Sequence, residues 1–267
     1  MKKFLNTIFK TIIFFVVWAV LIGVIPDIKI DNNVYWRLWA EFIPFLLTIL
    51  FSFTFVFLVE KSRVEIPITS KFFKNILIGT VIGVLWLGIV VAILLFTKTM
   101  VIKSQNNINY FWIWILSVLL NVIMQEMIMR GYLYQLWKQK YNIIIATFIT
   151  TALFTAMHGG AFEAGIVAVL NVITMSIFIT LLLEYTGTII APIIAHFIWN
   201  TFGAIILGGV SLASDYPNLL NTKFQGNSLL TGGIYKIEGS IVVLIINSIL
   251  IISLFILDKR KKHKLTF

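Results

Sequence analysis

The sequence has no cysteine among its 267 residues, which excludes disulfides, thiol nucleophiles and thiolate metal sites. Charge is scarce as well: 12% of residues are Asp, Glu, Lys or Arg, against about a quarter in a soluble domain. No internal repeat marks the paired halves of a transporter, and no two matching helices are broken by Gly or Pro, which weighs against a carrier. What fills the chain is apolar: 60% of residues are hydrophobic and the mean hydropathy is +0.99.

The apolar residues come in long blocks between short polar joints. Spans are expected at about 9–26, 39–59, 75–97, 110–129, 143–158, 164–183, 188–208 and 240–257, the fifth short enough to be buried or tilted. The fold class expected is therefore all-α: a polytopic membrane bundle of about eight transmembrane helices with an intramembrane polar cavity, forming a single transmembrane domain over 1–267. The joint 209–239, with its Gly, Asn, Asp and Pro, is expected to be an external loop with little regular structure. Trp36, Trp39, Trp112, Trp114 and Trp137 lie near span ends, as interfacial anchors would, while Trp86 and Trp199 are expected to pack between helices.

The formal charge of +10 does not point to nucleic acid, because the basic residues sit at the two ends and in the short joints. Fifteen of the 21, including Lys61, Arg63, Arg130 and the tail 259–264, fall on the side of the N-terminus, against six on the other. That bias predicts a multi-pass cell-membrane protein with both termini cytoplasmic. The opening Met1-Lys2-Lys3 before an apolar run resembles a signal peptide. No small-residue cleavage site ends that run at Gly23, so a retained first helix is expected.

Ionisable residues inside such helices are informative, since an unpaired charge in hydrocarbon costs at least a few kcal/mol. Three clusters stand out. Asn121, Gln125, Glu126 and Arg130 lie on one helix, where Glu126 and Arg130, four apart, share a face and Gln125 points about 100° away from Glu126. His158 closes the fifth span just before Gly159-Gly160, where a helix break is expected and another backbone or a substrate can approach closely. His196 and Asn200, also four apart, share a face of the seventh span.

Taken singly, each cluster reads more readily as an ion pair or hydrogen bond that fixes helices than as a catalytic group. Jointly, they hold both histidines outside the polar tail, and one shared polar cavity is a simpler account than three separate accidents. In such a cavity a carboxylate and an imidazole can activate water while the second imidazole and an amide stabilise an oxyanion. Glu126, His158 and His196 can equally serve as three ligands of a divalent metal such as zinc, with water in the fourth position. Spacing alone leaves both open.

The ordered motifs Gln125-Glu126-Met127-Ile128-Met129-Arg130, Phe154 to His158 and His196 to Asn200 resemble those of the CAAX-protease and bacteriocin-processing family of intramembrane endopeptidases, which includes the prenyl-protein endopeptidases. The family pattern is Glu-Glu-x-x-x-Arg, then Phe-x-x-x-His, then His-x-x-x-Asn or His-x-x-x-Asp, and here it falls within 121–206. The resemblance implies an eight-helix core that hydrolyses a peptide bond of a membrane-associated protein or peptide near the lipid interface, without a covalent intermediate. It implies that His158 orients or activates water, that His196 and Asn200 stabilise the tetrahedral oxyanion, and that Arg130 supports the site electrostatically. The family is often termed metalloprotease-like, with a metal-free glutamate site as the accepted alternative, so the cofactor is left open: a divalent metal such as zinc, or none. Bacteriocin maturation, self-immunity or regulatory peptide processing in a bacterial cytoplasmic membrane are the roles it makes plausible.

One residue departs from the pattern. Gln125 stands where the family has its first glutamate, the usual general base, and an amide cannot take the proton of water. Either Glu126 assumes that role after a helix rotation, or the protein is slow, or it is a noncatalytic pseudoprotease that binds membrane peptides or regulates a partner.

Overall fold

Long apolar runs with few charges leave each backbone group only the helix in which to satisfy its hydrogen bonds. The computed structural model describes residues 2–26, 28–68, 71–213 and 215–265. In chain order the elements are α1 (Lys2–Gly23), α2 (Asn33–Thr54), α3 (Phe72–Phe96), β1 (Met100–Gln105), α4 (Phe111–Glu126), α5 (Tyr134–Lys140), α6 (Ile143–Met157), α7 (Gly159–Ala164), α8 (Ile166–Thr186), α9 (Ile190–Asn200), β2 (Leu220–Phe224), α10 (Ser228–Thr231) and α11 (Ile241–Leu265). Among the described residues, six helices are long and apolar enough to cross a membrane, and Ile143–Met157 and Ile190–Ile206 are shorter apolar helices. The chain is thus a polytopic all-α membrane protein, as expected. The basic side chains 262–264, counted above for orientation, lie outside the described side chains.

The chain divides into two compact units. Unit 1 comprises 1–68 and 110–150, and is built on α2 packed against α4, with α1 against α2 and α5. Phe14 fills its interior among Phe51, Phe55 and Tyr132, with the Tyr132 ring 4.7 Å away. The indoles of α1 and α5 donate to threonines rather than to an interface: Trp18 Nε1 to Thr48 Oγ1 at 2.8 Å and Trp137 Nε1 to Thr11 Oγ1 at 3.1 Å. Buried Trp137 and Trp114 therefore correct the expectation of interfacial anchors. For Trp137 the reason is that the helix of the fourth span does not stop near 129. It continues through a π-helical stretch, Met127–Leu133, into α5, giving an apolar helix over Phe111–Lys140 whose second half packs inside unit 1.

Unit 2 comprises 69–109 and 151–267. Its core joins α3, α8, α9 and α11 around Trp86, which stacks on Trp199 at 4.0 Å and donates Nε1–H to Asn247 Oδ1 at 2.7 Å. The pairing of α3 with α9 depends on two glycines one helical turn apart. A Cβ on Gly79 would sit 2.7 Å from the Ala191 carbonyl oxygen, and one on Gly83 would sit 3.0 Å from Ala195 Cα. Small residues on both sides let the two backbones approach, the usual basis of close helix packing in lipid.

The joint 209–239 is more ordered than expected. It contains β2, α10 and a 3₁₀ segment, and β2 pairs antiparallel with β1 from Met100↔Phe224 to Gln105↔Leu220, with a bulge between Ile102 and Ser104. Turn-rich composition marked this segment as loop, but its strand partner lies far away in sequence and leaves no periodic signal.

Candidate active site

Residues of the first motif lie in unit 1. The Arg130 guanidinium Nη1 is 3.4 Å from Glu126 Oε1, and both side chains are 0% exposed. Their shared face is the one expected from i, i+4 spacing, and burial makes the pair mutually dependent: either charge alone would stand in an apolar interior. The π-helical stretch starts directly after Glu126 and contains Arg130. Such wide turns insert an extra residue, shift the following side chains around the helix and are frequent at functional sites.

Gln125 belongs to a different network. Its Nε2 donates to Asn121 Oδ1 at 2.7 Å, and Asn121 Nδ2 donates to Glu41 Oε2 of α2 at 2.9 Å. Glu41 is in turn paired with Arg37 at 3.3 Å. Adjacent in sequence, Gln125 and Glu126 thus face different partners, as the 100° offset requires. Glu41 was missed in the sequence because its partner, Asn121, is on another helix; a carboxylate near the start of the expected apolar span 39–59 was the available signal.

Residues of the second and third motifs lie in unit 2. Helix α6 ends at Met157, and His158 leaves the helical conformation with φ −97° and ψ 57° before the short α7 begins at Gly159. A Cβ on Gly159 or Gly160 would meet nothing within 4 Å, so the backbone beside this half-buried histidine is open to approach. His158 Nδ1 is 2.7 Å from the Phe154 carbonyl oxygen. A carbonyl only accepts, so Nδ1 carries a proton, and in the neutral form of the ring the basic lone pair is then on Nε2.

Helix α9 follows a tight turn in which Gly187, at φ 74°, caps α8 and returns its N–H to Leu183 O at 2.7 Å. Pro192 falls in the first turn of α9, where its missing N–H costs no helical bond. The helix then carries His196 and Asn200 into the interior, where both are buried. Asn200 Nδ2 is 3.3 Å from His196 Nε2. A second π-helical stretch, Thr201–Ile206, starts directly after Asn200.

Phe154 links the two histidines. Its ring centroid is 4.3 Å from that of His158 and 6.2 Å from that of His196, the latter edge-on. The Phe-x-x-x-His spacing therefore does two things: the Phe154 carbonyl fixes the His158 tautomer, and its ring is packed against both imidazoles. Among the described residues no three His, Cys, Asp or Glu side chains are grouped so as to hold a metal ion, and Glu126 is committed to Arg130.

An all-α membrane protein with imidazole and amide groups on its short helices belongs to the broad class of intramembrane proteins with a buried polar site. More specifically, residues 107–202 match the family model of the type II CAAX prenyl endopeptidase Rce1-like proteins, and so carry the resemblance read from the sequence. The matched segment includes Gln125, Glu126, Arg130, Phe154, His158, His196 and Asn200. Intramembrane CAAX protease activity is the general activity of that family. Neither a curated protein nor a solved structure matches the chain.

Proposed function

We propose that the protein is an intramembrane endopeptidase that hydrolyses a peptide bond of a membrane-associated protein or peptide. His158 accepts the proton of the attacking water through Nε2, and His196 with Asn200 donates hydrogen bonds to the tetrahedral oxyanion. The observation that carries this reading is the Phe154 ring between the two imidazoles, together with the carbonyl that assigns the His158 proton to Nδ1. A neutral imidazole with its lone pair on Nε2 is a suitable base near neutral pH, and N–H donors buried away from water stabilise a developing charge strongly. Glu126 is the weaker choice of base, since its carboxylate is fully buried and paired with Arg130. Arg130 and Glu126 keep the helix that bears Gln125 in place.

The charge bias supports cytoplasmic termini in a cell membrane, and the family resemblance supports processing of a bacteriocin or another regulatory peptide in a bacterium. A second reading rests on Gln125: a noncatalytic protein that binds membrane peptides and regulates a partner. Mass spectrometry of membrane-associated peptides from cells expressing wild type or His196→Ala at matched abundance separates the two. A product made only by wild type, and remade by the purified reconstituted chain, supports the endopeptidase. Identical peptide sets with loss of partner association in His196→Ala favour the binding protein.

A further inference from the structure

Helix α9 bears His196 and Asn200, and two features inside unit 2 hold it against α3. Gly79 and Gly83 let the backbones approach, which sets the distance between the two helices. A glycine face has no side chain with which to resist rotation of α9 about its own axis. That task falls to Trp199, which lies about 60° around the helix from His196 and directly before Asn200 in the chain. Its indole stacks on Trp86 of α3, with ring centroids 4.0 Å apart and planes 20° from parallel.

Trp86 is itself fixed at its edges. Phe178 of α8 meets it in a T-shaped contact at 5.0 Å, and its Nε1–H donates to Asn247 Oδ1 of α11 at 2.7 Å. An indole N–H only donates, so the oxygen of Asn247 has to face it and Nδ2 has to point elsewhere. Asn247 Nδ2 donates to Thr174 Oγ1 at 3.0 Å and to the Asn171 carbonyl at 3.3 Å, both on α8. Thr174 uses its own hydroxyl hydrogen on the Leu170 carbonyl at 2.7 Å, which leaves it an acceptor for Asn247. Trp86, Trp199 and Asn247 are all buried. Stacked rings tolerate sliding and turning in their own planes, and a hydrogen bond at one ring edge removes that freedom.

We propose that Asn247 is a positioning residue for His196 and Asn200: by locking the Trp86 indole against Trp199, it sets the rotation of α9 about its axis. The proposal rests on the endopeptidase reading for what the histidine and the amide do, and on the geometry of unit 2 alone for how they are held. A donor aimed at a developing oxyanion loses its effect through small angular errors, so a lock on helix rotation acts on the chemical step more than on peptide binding.

Two substitutions take the lock apart from either side. Trp86→Phe keeps a ring to stack on Trp199 and removes the Nε1–H, while Asn247→Leu removes the acceptor at similar size. Each leaves one buried polar partner unsatisfied and lowers stability; together they leave neither, and stability largely returns. Orientation of the stack does not return, because no directional bond remains. A brace that only stabilised the fold would give back activity and stability together.

The test uses the purified full-length chain in liposomes and a synthetic peptide spanning the His196-dependent cleavage site. Both single variants and the double variant are expected to lower kcat roughly 10- to 100-fold per folded molecule at nearly constant KM. The double variant is expected to unfold at nearly the wild-type temperature while kcat stays low. Recovery of kcat along with the unfolding temperature, or wild-type kcat in folded Asn247→Leu, overturns the proposal. Ring ¹⁵N NMR of the three histidines, with His196 assigned by its loss in His196→Ala, gives a readout that does not depend on catalysis. Displaced His196 signals in the double variant, with those of His158 unmoved, support the lock, and unmoved His196 signals overturn it. If the wild type cuts no peptide, the endopeptidase reading fails while the ring signals still decide for or against the lock.

Discussion

In unit 1 the ionisable groups of the candidate site sit on long helices and are locked into pairs, Arg130 with Glu126 and Arg37 with Glu41. In unit 2 one histidine, His158, stands at the break in the chain after α6, and the other, His196, is carried by the short helix α9 beside an amide. The contrast follows from what each group costs in an apolar setting. A carboxylate or guanidinium must find an opposite charge before it can be buried, and once paired it is poorly placed to exchange protons. An imidazole can be buried neutral and can still gain and lose a proton during turnover. On the proposed function, holding a helix in place and moving a proton would fall to different residue types in different units.

Substitutions that remove one function and spare the other test that division. Arg130→Ala would leave the Glu126 carboxylate buried without its counter-charge, and it is expected to destabilise the protein by about 3–5 kcal/mol. Thermal unfolding in detergent measures this, and an unfolding temperature equal to wild type would show that the pair does not hold the helix. His196→Ala is expected to cut product formation about 10²- to 10³-fold, the range for losing an oxyanion donor, while the unfolding temperature changes little. Loss of fold instead of rate would make unit 2 as structural as unit 1. Gly79→Val drives a side chain into the Ala191 backbone and should cost about 1–3 kcal/mol, with activity falling as α9 is displaced. Unchanged unfolding would mean that α3 and α9 tolerate a wider separation. Phe154→Leu keeps the carbonyl that orients His158 and removes the ring, so its expected effect is the smallest, under about 1.5 kcal/mol in stability. Its sharper readout is the pH profile of the rate, which should keep its shape if the carbonyl alone sets the His158 tautomer.

The apolar helices and the break at His158 were legible because hydropathy and the Gly159-Gly160 pair act locally. The shared faces of Glu126 with Arg130 and of His196 with Asn200 were legible for the same reason, since i, i+4 spacing is a property of one helix. Glu41 was not, because its link to Gln125 runs through Asn121 on a different helix. Nor were the wide turns after Glu126 and Asn200, since nothing in the residues Met127–Leu133 or Thr201–Ile206 distinguishes a π-helical stretch from a continuing α-helix. The burial of Trp137 was hidden by the same wide turn, which carries the helix past the point where hydropathy falls.

The β1–β2 ribbon also constrains the order in which the chain can be completed during synthesis. Its strands flank everything from α4 to α9, so β1 leaves the ribosome long before the partner it pairs with. Helix α3 waits as well, its Gly79 and Gly83 face uncovered until α9 is made. Unit 2 is therefore the late-maturing part of the molecule, dominated by contacts distant in sequence that are slow to close. A nascent chain stalled before α9 would hold an unfilled glycine groove and an unpaired strand, both of them features by which membrane quality control can recognise an unfinished protein.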